Sequence, residues 1–201
     1  MREAPARRRR AALVLAVLLA TAGSRGPPRP SEAIYVFGSA PPIEIVAADP
    51  ASARRALTEI AEDLRERHRA WHAWESSEVT AANAAIAAGR AATLSPSLRD
   101  LVARALRLAE TTEGLLDPTV GGLMALWGFY TSDFPISSPE PTRAQLDAWR
   151  AQRPSYRDLR LEGDALVSAN PTARLDFGAI AEGVATESIR DRLRAHGIEN
   201  A

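Results

Sequence analysis

Two aspartates, Asp117 and Asp176, each stand before a glycine-containing segment that leads into a helix. From such a place a carboxylate can face a shared cleft and accept hydrogen bonds from ligand N–H or hydroxyl groups. The second segment, Arg174-Leu175-Asp176-Phe177-Gly178-Ala179-Ile180-Ala181-Glu182-Gly183, has a further property. An extended run ends in the acid, and the helix that follows opens on small residues. Free N–H donors and partial positive charge at a helix start suit phosphate, while Gly178, Ala179 and Ala181 allow close approach to the backbone. The same residues also suit an ordinary tight strand-to-helix connection. Asp is a frequent turn and cap residue, and the pattern is not G-x-G-x-x-G.

Other chemistries find less support. The chain has no Cys, no G-x-S-x-G, and three His without evident acid and hydroxyl partners, which argues against a nucleophilic mechanism. His68 and His72 are spaced for one face of a helix, but only His196 is left to join them in a metal site. Trp74 and Phe37 are candidates for stacking on a flat heterocycle, although an aromatic residue also serves as core.

The elements that must position these residues come from a chain of 201 residues, 46% hydrophobic and 25% charged, enough for one domain with a real core. Residues 1–22 read as a secretory signal peptide. They comprise a basic start (Arg2, Arg7 to Arg10), an apolar run from Ala11 to Leu19, and the small-x-small site Ala20-Thr21-Ala22. The general and twin-arginine export routes both fit, as does an uncleaved anchor. Without Cys there is no lipid-modified Cys and no disulfide, so the mature protein is expected free in the periplasm, with no membrane span. Cleavage removes five Arg and one Glu, leaving 20 basic and 24 acidic residues, a net charge of about −4. That balance argues against nucleic acid as a partner.

Residues 23–32 are Pro- and Gly-rich and read as a linker to a domain over 33–201. Ile34 to Phe37 and Ile43 to Val46 predict two strands around a Gly/Pro bend. Asp49-Pro50 opens an amphipathic helix that buries Ala53, Leu57, Ile60, Leu64 and Trp71. Val79 to Ala88 read as Ala-rich turns closed by Gly89. Ser95-Pro96 opens a second amphipathic helix, with Gly114 beyond its end. Leu123 to Tyr130 form an apolar, aromatic cluster expected in the core. A short helix over 142–152 is expected to bury Leu146 and Trp149. A hairpin turns at Glu162-Gly163-Asp164, and a last strand over 172–177 leads into the helix after Asp176. The expected class is α+β, with mixed or antiparallel strands packed by helices.

Three stretches in this order carry a resemblance: Leu115-Leu116-Asp117-Pro118-Thr119-Val120-Gly121-Gly122-Leu123, then Leu126-Trp127-Gly128-Phe129, then Leu175-Asp176-Phe177-Gly178-Ala179-Ile180-Ala181-Glu182-Gly183. Together they resemble the FAD:protein FMN transferase (ApbE) family. Phe37-Gly38-Ser39 stands where that family has Met-Gly-Thr, and the His72-Ala73-Trp74 stretch with Asn83 is similar to a further family segment. The resemblance covers about residues 34–201.

The resemblance implies a periplasmic enzyme that uses Mg2+ and FAD. It would attach FMN to a Thr or Ser hydroxyl of an exported or membrane flavoprotein and release AMP. Phe37 and Trp74 would contact the flavin, Leu115, Leu116 and Asp117 would line the FAD site, and Asp176 would bind the cofactor. Ala179 would offer its backbone oxygen to Mg2+, a hard ion that accepts carbonyls. The family usually has Lys where this chain has Glu182, a reversal that weakens binding of an anionic pyrophosphate unless Glu182 points away or helps hold the cation. The family's catalytic His motif and remaining Mg2+ ligands are expected beyond Ala201, with 33–201 as an N-terminal portion. A non-catalytic exported flavin binder and a Mg2+-dependent FAD pyrophosphatase are the competing expectations.

Overall fold

Asp49 starts the longest helix as its place before a proline predicts. The computed structural model describes residues 30–34, 36, 42–46, 49–133, 135–152 and 154–199. In it the Asp49 carboxylate accepts from the N–H groups of Ala51 at 2.9 Å and Ser52 at 3.0 Å. Pro50 takes the first helical position, where no N–H is missed. Helix α1, Pro50–Trp71, buries the stripe the sequence predicts.

Strand β1, Ser31–Ala33, pairs antiparallel with β2, Pro42–Glu44. Both begin earlier in the chain than expected. β1 falls at the end of the stretch read as linker, where Pro30 O also accepts from Ile45 N at 3.0 Å. Ile34 and Val36, expected inside a strand, instead follow β1 as buried residues and pack with Ile45, Leu57, Ile60, Leu64, Leu193 and Ile198. Phe37 lies outside the described residues.

Residues expected as turns after Ser77 form a helix, α2, Glu78–Ala87. Ser77 Oγ accepts from Thr80 N at 3.0 Å, and Thr80 Oγ1 accepts from Ser77 N at 2.9 Å. This is a reciprocal capping box with Thr in the place of the usual Glu or Gln, and the alanines behind it are the best helix formers. Strand β3, Ala92–Thr93, follows, then α3, Pro96–Thr111, capped by Ser95 as predicted. Glu78 also receives the Ser95 hydroxyl at 2.7 Å, which ties the starts of α2 and α3 together.

The aromatic cluster is not core. Helix α4, Gly121–Leu126, is short and mostly half-buried, and Trp127 and Phe129 are exposed. Helix α5, Arg143–Gln152, leaves Leu146 and Trp149 only half-buried. Met124, Phe129 and Tyr130 of this flap line a cleft rather than the core, so apolar character alone mislocated them.

The hairpin forms where expected: β4, Leu159–Glu162, and β5, Ala165–Ser168, turn at Gly163. With β3 they make an antiparallel sheet of order β3-β5-β4. The segment expected as a last strand joins no ladder and makes a single parallel bridge, Arg174 with Val120. It nevertheless alternates as a strand does: Leu175 and Phe177 are buried with Trp71, Val79, Leu98 and Leu166, while Arg174 and Asp176 remain outside that core. Helix α6, Gly178–Ala195, then runs back to pack on α1. The architecture is α+β, as expected.

Candidate functional site

The alternation just described is what delivers Asp176 to a cleft. Its neighbours Leu175 and Phe177 are anchored in the core at 0% and 2% exposure, so the carboxylate has little freedom to turn inward. Each oxygen has one fixed donor: Gly178 N bonds Oδ1 at 2.8 Å, and the Tyr130 hydroxyl bonds Oδ2 at 3.0 Å. A carboxylate oxygen offers two lone-pair sites, so both retain capacity for a ligand.

Two clefts meet at this acid. The larger, about 420 Å³, is lined by Trp74, Tyr130 and His68 among others. The smaller, about 230 Å³, is lined by Leu115, Leu116, Asp117 and Ala179. Met124, Asp176, Phe177 and Gly178 line both and form the shared wall. The small residues at the start of α6 therefore lie at the junction.

Apart from Phe37, which lies outside the described residues, the site residues proposed from sequence have definite places. Trp74 is 39% exposed in the larger cleft, and its ring stacks on Tyr130 with centroids 5.4 Å apart and planes at 19°. Leu115 is 95% exposed at the edge of the smaller cleft, whereas Leu116 packs against the core. Asp117 lines the smaller cleft but is largely committed to the fold. Its Oδ1 accepts from both Thr119 N (2.9 Å) and Thr119 Oγ1 (2.7 Å), and its Oδ2 accepts from Tyr156 N at 3.0 Å. Ala179 is exposed in the first turn of α6. Glu182 is exposed one turn further on and lines neither cleft.

His68, in the last turn of α1, and His72, its C-cap, stand side by side at the end of the helix. Their rings meet edge-on at 5.4 Å, and His72 Nδ1 accepts from Glu75 N at 3.0 Å. Burial, and next His72, hold His68 below its ordinary value, which favours its neutral form. Among the described residues no three His, Cys, Asp or Glu gather to hold a metal.

Sequence reasoning missed Tyr130 and Arg174. The Arg174 guanidinium lies over the Tyr130 ring at 4.6 Å from its centroid. Burial first, then the Asp176 charge and hydrogen bond, push the Tyr130 phenol far above its ordinary value, so it remains a donor throughout the working pH range. The available signal was a tyrosine at the end of an apolar run, a residue that seeks a polar partner when buried.

The sequence pattern of the ApbE family matches residues 37–201. The chain belongs to the ApbE family. A Rhodobacter capsulatus protein named FAD:protein FMN transferase is 38% identical over 176 residues, which is 87% of this chain and 33% of that protein. A Vibrio cholerae protein of the same name is 39% identical over 102 residues, 50% of this chain and 29% of that protein. This ApbE chain thus spans about a third of the length of these curated relatives.

Solved structures agree on the fold. A single-mutant form of the Vibrio cholerae flavin transferase ApbE superposes with a TM-score of 0.72 at 29% identity, covering 87% of this chain and 59% of that one. The apo flavinyl transferase ApbE of Pseudomonas stutzeri gives a TM-score of 0.71 at 26% identity, covering 85% and 56%. These likenesses establish an ApbE-like α+β fold. Among the described residues no helix is long and apolar enough to cross a membrane.

Proposed function

We propose that this ApbE protein transfers FMN from FAD to a Thr or Ser hydroxyl of an exported or membrane flavoprotein, with Mg2+, releasing AMP. The observation that carries this reading is the pair of clefts joined at Asp176, with an aromatic wall in one and a small-residue helix start at the junction. An elongated ligand with a flat ring and a central pyrophosphate suits that shape. The exposed part of Trp74 offers a stacking surface for the flavin. The N-terminus of α6 offers backbone donors and partial positive charge to the phosphates.

A magnesium ion fits these residues only as a companion of the substrate. Mg2+ prefers six oxygens and is commonly held by one or two carboxylates together with substrate phosphates and waters. The described residues offer the Asp176 carboxylate and the Ala179 carbonyl, too few for a closed cage but consistent with that mode. Such an ion would neutralise charge developing on the pyrophosphate. The chain's own part is to bind the flavin, fix the Asp176 carboxylate through Tyr130 and Gly178, and shield the cleft with its aromatic flap.

Export by the 1–22 segment would place this chemistry in the periplasm, where cell fractionation should find the cleaved protein. The deciding assay incubates the protein with FAD, Mg2+ and a target domain bearing an acceptor Thr, and looks for an acid-stable fluorescent adduct. Free FMN without adduct would instead indicate a pyrophosphatase. Tight FAD binding with no turnover would indicate a flavin carrier, the reading that the acidic Glu182 favours.

A further inference from the structure

We propose that Tyr130 is a positioning residue for the cleft: one side chain that orients the Asp176 carboxylate by hydrogen bonding and backs the Trp74 indole by stacking. The role presumes that the larger cleft takes a flat, flavin-like ring, as proposed above.

Three side chains from two segments distant in sequence converge on this ring. Trp74, from the turn after α1, stacks on it at 5.4 Å with planes 19° apart. Asp176, before α6, accepts its hydroxyl at 3.0 Å. Arg174 places its guanidinium 4.6 Å from the ring centroid, a cation–π distance. Tyr130 is itself delivered by the turn after α4, where Gly128 has φ +74°.

The backbone opposite makes room for the hydroxyl. A Cβ on Gly121 would lie 2.8 Å from the Tyr130 oxygen and 2.7 Å from Arg174 O, closer than side chains tolerate. Gly121 N meanwhile donates to Arg174 O at 2.9 Å. The absence of a side chain at residue 121 therefore lets the phenol reach Asp176 while the two backbones remain bridged. A residue that merely filled space would not need this opening.

The spacing of the rings also fixes where a ligand goes. A flat molecule inserted between two parallel rings needs a separation of roughly 7 Å, two van der Waals layers of about 3.5 Å each. The pair at 5.4 Å leaves no such slot. The ligand ring must meet the exposed part of Trp74, with Tyr130 supporting it from the opposite side. Tyr130 thus acts through Trp74 and Asp176 rather than on the reacting atoms.

The hydroxyl and the ring are separable by mutation. Tyr130→Phe keeps the stack and removes the donor to Asp176, whereas Tyr130→Leu removes both. In an FAD titration of the full protein, Tyr130→Phe should weaken affinity about tenfold, the scale of one hydrogen bond to a charged group, with wild-type quenching of flavin fluorescence at saturation. Tyr130→Leu should weaken affinity further and also change the saturating quench and the visible flavin spectrum. If both variants match the wild type in affinity and spectrum, the proposal is overturned.

A second measurement does not need FAD. In the ligand-free protein, Tyr130→Phe should lower the denaturation midpoint in the wild-type background and leave it unchanged in an Asp176→Ala background. Additive effects would overturn the link between the two residues. If the wild-type protein binds no FAD, the transferase reading fails by itself, and this cycle still decides whether Tyr130 holds Asp176.

Discussion

The carboxamide of Asn83 bonds both backbone groups of Leu175: its Nδ2 donates to Leu175 O at 3.1 Å and its Oδ1 accepts from Leu175 N at 2.7 Å. A side chain from α2 thus does for the segment 172–177 what a neighbouring strand does in a sheet. This explains how a stretch without a ladder holds Asp176 in place.

Replacing Asn83 with Ala should leave two buried backbone groups unpaired and cost about 2–4 kcal/mol. Asn83→Asp retains the acceptor but lacks the donor, and should fall between Ala and wild type. Urea denaturation at neutral pH reads both, and wild-type stability in Asn83→Ala would contradict the clamp.

Acid sensitivity should come in part from a cluster between α1 and α6. Burial pushes the Asp63 carboxyl up, but hydrogen bonds from Arg67 at 2.7 Å and Ser188 at 2.7 Å outweigh it and hold the group below its ordinary value. A carboxylate with a lowered folded-state value contributes stability that is present above its unfolded value, near 3.8, and lost as pH falls through the folded value. Asp63→Asn should therefore flatten the acid limb of a stability–pH profile below about pH 4. An unchanged limb would exclude Asp63 as a contributor.

Gly121→Ala tests the opening beneath Tyr130 from the other side. The added methyl meets the Arg174 carbonyl as well as the Tyr130 hydroxyl, so backbone must move. The expected cost is about 1–3 kcal/mol, with loss of FAD affinity beyond what Tyr130→Phe causes. Gly122→Ala, which meets only the Trp149 side chain at 3.1 Å, should be milder, and thermal melts of the two variants compare the costs.

Charge near the start of α6 gives a separate handle. Glu182→Lys exchanges an acid for a base one turn from the helix N-terminus, and should tighten FAD binding about two- to fivefold at low ionic strength. The gain should fade at high salt, since both the side chain and the cleft entrance are open to solvent. Titrations at two salt concentrations check this; a gain that ignores salt would point to a direct contact instead.

The sequence announced some elements by local chemistry. Asp49-Pro50 and Ser95-Pro96 marked helix starts, and Gly163 marked the hairpin, because caps and turns depend on only a few adjacent residues. Helix α2 escaped notice because alanine at half of its positions blurs the contrast between apolar and polar faces, and because Thr80 filled a capping place usually held by Glu or Gln. The exposed flap around Trp127 and Phe129 read as core since hydrophobicity cannot say what covers it. In the site, Asp176 was visible beside its glycine. Asp117 was visible too, but its ties to Thr119 and Tyr156 belong to tertiary structure. Tyr130 showed only as a polar-tipped ring ending an apolar run, and nothing local named its partner Asp176, 46 residues away.

That distance bears on how the molecule comes together. Contacts between residues 46 and 92 positions apart close large loops, and such closures slow folding relative to local helix and hairpin formation. The cleft is therefore expected to be completed after the helices and the hairpin that flank it. A ligand seated on a surface that forms that late should act as a brake on unfolding and leave the rate of refolding unaided.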